Sequence, residues 1–228
     1  MELRWTTDAE LTDLMKEHLF PAVVGDVMDT IGLDHQFLPA DVRPIDPTMI
    51  LAGRAVPVLS RDLNRSRAKS GAAEQTFGLL MDALDDLRPH EVYLGTGGSL
   101  DYALWGELMS LRAQRLGAAG AVLNGYHRDT GGILELDFPT FSKGAYAQDQ
   151  GARGQVVAWR IPVMIGQVEI TPGDLLFGDR DGICVIPQTR EREVLALAWD
   201  KVRGENTVRD AIRDGMGAAE AFRKYGIL

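Results

Sequence analysis

Residues 91–133, EVYLGTGGSLDYALWGELMSLRAQRLGAAGAVLNGYHRDTGGI, constrain the possible folds of this chain more than any other segment. EVYLG and AVLNG are short apolar runs with strand character, and between them lie a glycine-rich turn and a helical pattern that ends at Gly117. Strand, helix and strand in that order form the βαβ unit of a parallel sheet with a right-handed crossover. In such sheets ligands sit beyond the carboxyl ends of the strands. The glycine loop and the pair Arg128-Asp129, just past AVLNG, are therefore expected on one rim, facing one pocket.

The flanking segments fit around that unit. Thr7 and Glu10 form a capping box ahead of Leu11, Leu14, Met15 and Leu19, which share a helical face, and Pro21 ends that helix. A second helix, from Ala22 to Gly32, is predicted to turn Val24, Val27, Met28 and Ile31 inward, with Gly32 as its cap. Past an irregular stretch with Pro39, Pro44 and Pro47, MILAGRAVPVL reads as a strand, and from Gly71 a helix carries Phe77, Leu80, Met81 and Leu84. After Asp129 the texture changes to short strands and turns: FPTFSKG, QVVAWRIPVMIG, TPGD, LLFG, DRDG and ICVIP. This half is expected to form a mixed or antiparallel sheet packed on the first. From Glu191 the tail is helical, with Val194, Leu195, Ala198 and Trp199 on one side and breaks at Gly204 and Gly215. The expectation is an α/β fold in one domain, 1–228: N-terminal helices and a connection (1–48), an α/β core (49–188) and a C-terminal helical tail (189–228).

Composition narrows the ligand classes. With 45% hydrophobic residues over 228 positions the chain can bury a core, and a net charge of −9 offers no basic footprint for nucleic acid. No run reaches the roughly 18 apolar residues needed to span a bilayer, and the start has no signal-peptide core, so a cytoplasmic protein is expected. Cys184, the single cysteine, lies inside the strand GICVIP and reads as core filling, because a reactive thiolate wants exposed, electropositive surroundings.

The chemistry is concentrated in the βαβ unit. Gly95, Gly97 and Gly98 either make a tight strand-to-helix turn or let the backbone approach an anion such as a substrate carboxylate; LGTGGS does not match GxGxxG. Asp129 is a hard oxygen ligand suited to Mg²⁺ or Mn²⁺, Glu107 can hold a metal-bound water from the same rim, and Arg128 can pair with a carboxylate or an enolate oxygen. An adjacent Arg-Asp also occurs as a plain surface ion pair. Twenty residues separate Gly106-Glu107 from Arg128-Asp129, giving G-E-x20-R-D.

That pattern, with GDVMDTIG, LAGRAVPV and PGDLLFGDRDGICVIP, resembles the family that joins class II 4-hydroxy-4-methyl-2-oxoglutarate aldolases with RraA-like proteins, over roughly residues 20–187. The resemblance implies a three-layer, swivelling β/β/α fold assembled as a homotrimer or homohexamer with active sites at subunit clefts. It implies that Asp129 binds the metal, that Arg128 stabilises an enolate and that Glu107 holds metal-bound water. Backbone amides from Gly106 through Glu107 and Leu108 to Met109 would contact substrate, and Glu205 is a positional candidate for an acid supplied by a neighbouring subunit. His127, directly before Arg128, and the tail after Asn206 depart from the compact members; His127 reads as structural or pocket-lining in preference to an acid-base group.

The reaction so implied is retro-aldol cleavage of a 4-hydroxy-2-oxo acid to pyruvate and a second carbonyl compound, with oxaloacetate decarboxylation through the same pyruvate enolate. A metal-activated water would take the C4 hydroxyl proton. A Schiff-base aldolase is one rival; of the lysines at 16, 69, 143, 201 and 224, Lys143 alone lies near a predicted strand end. The other is a non-catalytic regulator that binds a ribonuclease or another protein, since fold likeness does not fix function.

Overall fold

The computed structural model describes residues 4–63 and 77–226. In chain order the elements are α1 (Asp8–His18), α2 (Pro21–Thr30), β1 (Arg43–Pro44), β2 (Leu51–Asp62), α3 (Leu80–Asp85), β3 (Glu91–Thr96), β4 (Ala103–Trp105), α4 (Glu107–Arg115), β5 (Gly120–Leu123), β6 (Tyr126–His127), α5 (Thr130–Glu135), β7 (Thr140–Ser142), β8 (Gly154–Trp159), β9 (Val163–Ile165), β10 (Val168–Ile170), β11 (Leu175–Asp179), β12 (Gly182–Ile186), α6 (Glu191–Arg213) and α7 (Ala218–Tyr225). Among the described residues no helix is long and apolar enough to cross a membrane.

An eight-stranded mixed sheet runs β1-β7-β5-β3-β2-β11-β12, with β8 also on β2. The β2, β3, β5 and β7 neighbours are parallel, as the βαβ pattern requires, while β1, β8, β11 and β12 join antiparallel. The long strand β2 is its spine. On one side it pairs with β3; on the other it pairs with β11 through Leu51 to Arg54 and with β8 from Val58 onward. Pro57 sits at that handover, its carbonyl accepting from the Arg160 amide, so the N–H a proline lacks is missing where one partner strand has stopped and the next is only starting. Residues 36–38 lie along β12, and Arg43 of β1 donates to the Asp181 carbonyl, so the two edges of the sheet approach each other.

The second half of the sequence therefore extends the first sheet instead of stacking a separate sheet on it. The smaller remainder of the strands forms two ribbons, β9-β10 and β4-β6. QVVAWRIPVMIG is divided between β8 and β9 at Arg160, which has a positive φ and is held by Asp86 and Glu91.

Both faces of the sheet are buried, which explains why the strands read as continuous apolar runs instead of alternating ones. Val92, Leu94, Val122, Leu176, Ile183 and Val185 point into one interior, while their neighbours turn outward. Leu175, Phe177, Cys184 and Ile186 meet Leu11, Met15, Val24, Val27 and Met28 of the N-terminal helices and Val194, Leu195 and Ala198 of α6. Tyr93, Ala121 and Leu123 meet Leu80 and Leu84 of α3 and residues around α4 and α5. Burial pushes the Cys184 thiol far above its ordinary range, consistent with core filling.

The capping box on α1 is present as expected, and Gly32, in the left-handed region, follows α2. Pro21 occupies the first turn of α2, where its missing N–H costs nothing. Three expectations fail. Helix α6 continues through Gly204, because its buried stripe extends to Val208. Of the helix expected from Gly71, residues 71–76 lie outside the described residues and Phe77 precedes α3; Met81 faces outward at 55% exposure, since α3 is a short helix whose Leu80, Ala83 and Leu84 fill the core. The third is the separate second sheet already described.

Helices α1 and α6 are tied to the spine by Arg54 of β2, which donates to Asp8 Oδ1 at 2.7 Å, to Glu191 and to the Gly173 carbonyl. Its side chain is only 14% exposed and that of Glu191 13%, while Asp8 is more open at 42%, so removing it strands the Glu191 carboxylate at a partly dry junction. Arg54→Ala is expected to lower the unfolding free energy by about 2–3 kcal/mol in urea titrations. A loss below about 0.5 kcal/mol would assign the placement of these helices to apolar packing alone.

Candidate active site

The two halves of G-E-x20-R-D meet because β4 and β6 form a short parallel ladder. Trp105 is the register partner of His127, and the Arg128 amide donates to the Trp105 carbonyl at 2.9 Å. Gly106-Glu107 and Arg128-Asp129 thus leave two neighbouring strands one step past the last rung. The intervening twenty residues are the chain needed for helix α4 to run back and β5 to return.

Local chemistry fixes each strand end. Trp105 is buried, packs on Tyr93 and Phe138, and donates its indole N–H to Ser110 Oγ at 2.6 Å, which locks the first turn of α4 against β4. Gly106 is the N-cap residue and has no side-chain cap; the first backbone bond inside the helix runs from the Ser110 amide to the Gly106 carbonyl. The amides of Glu107, Leu108 and Met109 precede that bond and have no intrahelical partner, as in any helix start.

Two glycines make room for the acids reciprocally. A Cβ on Gly106 would lie 2.7 Å from Asp129 Oδ2, and one on Gly132 would lie 2.4 Å from Glu107 Cδ. Each acid therefore rests where the opposite segment has no side chain. Asp129 itself is left-handed, at φ 56°, a conformation short polar residues tolerate, and its side chain makes no cap to α5. Its Oδ2 is 3.4 Å from Arg128 Nε, while Arg128 Nη1 lies 3.2 Å from Asp149 Oδ1. Arg128 and Asp129 are 40% and 44% exposed, and an ion pair that open contributes little to stability, so a structural role explains it poorly.

These groups line a cavity of about 230 Å³ together with Phe77, Leu80, Met81, Ala103, Leu104, Trp105, Gly106, Leu108, Met109, Asp149 and Gln150. Sequence reasoning missed Asp149 and Gln150. They belong to an irregular loop that is stitched to the ladder by the bonds Tyr146 N to His127 O and Ala103 N to Gln148 O, and no local pattern marks it. Glu107 is exposed beside Gly132 and is not part of the cavity wall. Glu205 lies on α6, away from the cavity of its own chain.

The glycine loop differs from expectation. It leads into β4, not into a helix, and Gly97 and Gly98 pack against Ser60 and the Tyr102 ring. Asp62 accepts from the Ser99 amide and the Tyr102 hydroxyl, fixing the loop as a turn. It contributes nothing to the cavity wall; the free amides that do border it belong to α4. Lys143 is paired with Asp41 at 2.8 Å outside that wall, Lys16 and Lys201 stand on α1 and α6, Lys224 on α7, and Lys69 lies outside the described residues.

His127 is 3% exposed, with Nδ1 2.7 Å from Ser142 Oγ and Nε2 2.9 Å from Thr130 Oγ1. Both ring nitrogens are engaged, so it positions the residue after Asp129 and does not reach a ligand. Burial lowers its pKa.

Among the described residues no three His, Cys, Asp or Glu side chains converge on one point, so a closed all-protein metal cage is absent there. The donor set still suits a hard cation, because Mg²⁺ keeps several waters and takes one or two carboxylates. Asp129 offers one that is uncommitted to a cap, and Glu107 offers a second on the adjoining segment.

A family model described as RraA-like, Aldolase/RraA, matches residues 21–185, which include every cavity-lining residue named above. A Halalkalibacterium halodurans protein named "Putative 4-hydroxy-4-methyl-2-oxoglutarate aldolase" is 32% identical over 146 residues, covering 63% of this chain and 68% of that one. Protein DlpA of Legionella pneumophila is 28% identical over 205 residues, 90% of this chain, but the chain spans only 32% of DlpA. Among solved structures, an uncharacterized protein from Pseudomonas syringae pv. tomato superposes with a TM-score of 0.84 at 26% identity over 99% of both chains. Streptomyces coelicolor RraAS2, described as an unusual member of the RNase ES inhibitor RraA protein family, shares the fold at TM-score 0.77 and 23% identity, over 90% of this chain and all of that one.

The buried His127 gives a signed pH dependence. Its folded pKa lies below the ordinary value near 6.5, so the unfolded chain takes up the proton first and stability drops as pH falls through that value. Chemical denaturation between pH 7.5 and 5 is expected to show this loss, and His127→Asn should flatten it. An unchanged slope in that variant would assign the dependence to other groups.

Proposed function

The chain belongs to the RraA-like family, and from that premise we propose that it is a divalent-metal-dependent lyase, splitting a 4-hydroxy-2-oxo acid into pyruvate and a second carbonyl compound. One observation carries this reading: Arg128 and Asp129 stand against Gly106 and the uncapped start of α4 on the wall of a small, largely apolar cavity. The relatives named as aldolases support the same reaction class.

Asp129 would hold Mg²⁺ or Mn²⁺ directly and Glu107 through water, with Glu205 of a neighbouring copy as a further acid. When bound, the cation supplies Lewis-acid polarisation of the 2-oxo group. Arg128 holds the substrate carboxylate or the oxygen on which charge develops as the C3–C4 bond breaks, and its planar fork suits that task. The free amides at the start of α4, between Gly106 and Met109, face the same charge with a favourable helix dipole. Trp105, Leu104, Leu80 and Phe77 keep much of the wall apolar, which strengthens each of these interactions by excluding water. Breaking C3–C4 leaves the bonding pair on pyruvate as its enolate, while the C4 hydroxyl proton passes to water and C4 becomes the second carbonyl. Loss of CO₂ from oxaloacetate leaves the same enolate, so decarboxylase activity is expected at the same site.

The exposed apolar side chains Met81 and Leu108 on the cavity wall, with Leu111 one turn further along α4, suit burial against another copy in a homotrimer or homohexamer. The second reading, a non-catalytic regulator binding a ribonuclease or other protein, draws on the fold shared with RraAS2.

Pyruvate release from oxaloacetate and from several 4-hydroxy-2-oxo acids with Mg²⁺, followed through a lactate dehydrogenase couple, separates the two. Turnover above the metal-only rate is expected. Asp129→Ala should abolish it with the fold intact, and Arg128→Met should lower kcat about 10²- to 10³-fold. Substantial activity in a well-folded Asp129→Ala protein removes the site assignment, and rates no faster than metal alone favour the regulator.

A further inference from the structure

Of the three charged side chains on the described cavity wall, Arg128, Asp129 and Asp149, the reaction proposed above leaves only Asp149 without a task. Asp149 lies in the irregular loop between β7 and β8, and that loop does not need its carboxylate to stay in place. The Ala103 amide donates to the Gln148 carbonyl at 2.8 Å, and the Arg153 and Gly154 amides donate to the Gln150 carbonyl at 2.7 and 3.1 Å. Gln150 is 4% exposed, and its side-chain amide donates to Ser60 Oγ at 3.4 Å. The residues on both sides of Asp149 are thus held by backbone bonds and burial, while its own half-exposed side chain reaches Arg128. An ion pair that open adds little to stability.

What the contact fixes is direction. Arg128 Nε lies 3.4 Å from Asp129 Oδ2, and Nη1 lies 3.2 Å from Asp149 Oδ1. Nε and Nη1 are separate corners of one rigid, planar group, so acids at both leave it little freedom to turn. In the proposed reaction Asp129 is committed to the cation, which makes Asp149 the anchor that stays with Arg128. Gly151 belongs to the same device. A Cβ there would lie 2.4 Å from Asp149 Oδ2, closer than real Cβ atoms come, so the carboxylate occupies space that the missing side chain leaves. The φ of Gly151 is not positive, so the backbone itself does not require glycine at that place.

We propose that Asp149, seated by Gly151, is a positioning residue that aims the Arg128 guanidinium before a substrate arrives. The inference rests on the lyase reading for what Arg128 is aimed at, the oxygen on which charge develops; the coupling of Asp149 to Arg128 is measurable by binding alone. A donor of that kind acts in the transition state, so misaiming it lowers kcat and leaves KM in place.

The test centres on Gly151→Ala, which keeps every charge and displaces only the flexible tip of Asp149. With Mg²⁺ present it is expected to lower kcat about tenfold, the scale of coupling between contacting side chains, at an unchanged KM and an unchanged unfolding midpoint. Asp149→Ala should do the same, Asp149→Asn should keep more turnover because it retains an acceptor for Nη1, and none of the three should cost anything further in an Arg128→Met background. Calorimetric titration with oxalate, a planar dianion like pyruvate enolate, repeats the comparison without turnover: Gly151→Ala should weaken it about tenfold, but not in the Arg128→Met protein. Loss of charge alone has the opposite sign, since removing a carboxylate beside Arg128 strengthens its attraction for an anion. Losses that persist undiminished in the Arg128→Met background, full turnover in both alanine variants, or a matching fall in Mn²⁺ affinity that makes Asp149 a metal ligand overturns the inference. Coupled oxalate binding without turnover of any 4-hydroxy-2-oxo acid sinks only the lyase reading. Turnover with additive losses sinks only the positioning role, and failure of both binding and turnover sinks the two together.

Discussion

The site depends on a two-rung parallel ladder between β4 and β6. The bond from the Arg128 amide to the Trp105 carbonyl decides that the residue after each strand faces the other, and the proposed chemistry rests on that adjacency. Trp105 anchors one side through its indole bond to Ser110 and its packing on Tyr93 and Phe138. His127 anchors the other through Ser142 and Thr130. A buried aromatic and a buried imidazole thus spend their polar side-chain groups on neighbouring hydroxyls, while Arg128 and Asp129 stay half exposed in a loose ion pair.

The glycines of the motif make sense as absences of volume. Gly106 lets Asp129 lie over the start of α4, and Gly132 lets Glu107 lie over α5. A side chain at either place would force the facing carboxylate to shift, since real Cβ atoms essentially never come within 3.0 Å of a neighbour. Arg128 between Asp129 and Asp149 has the same logic in charge: it is oriented before a ligand arrives, which limits the reorganisation that binding requires.

Around this corner the large sheet serves as a rigid frame. Its spine β2 is paired on both sides and buried on both faces, and Arg54 clamps α1 and α6 to it. The ladder hangs from the carboxyl ends of β3 and β5 by short connections, so the cavity sits where parallel α/β sheets place their ligands. The loop that carries Asp149 is the least regular part of the wall and supplies its second negative charge.

Much of this was legible in the chain itself. The apolar runs EVYLG, AVLNG, LLFG and ICVIP announced strands, the βαβ order announced parallel pairing, and the spacing of Gly106-Glu107 from Arg128-Asp129 pointed to the two strand ends that the β4–β6 ladder brings together, because each of these is a local pattern. Tertiary structure alone decided the rest. Whether LLFG and ICVIP extend the first sheet or build another depends on which edge of β2 is free, a fact no strand carries within its own sequence. LGTGGS became a turn packed on Ser60 and Tyr102, and Asp149 entered the wall from twenty residues beyond the motif, because those outcomes were set by contacts between distant segments. Periodicity fixes what an element is and which face it buries; the meeting of two loops is fixed only when the whole core has closed around them.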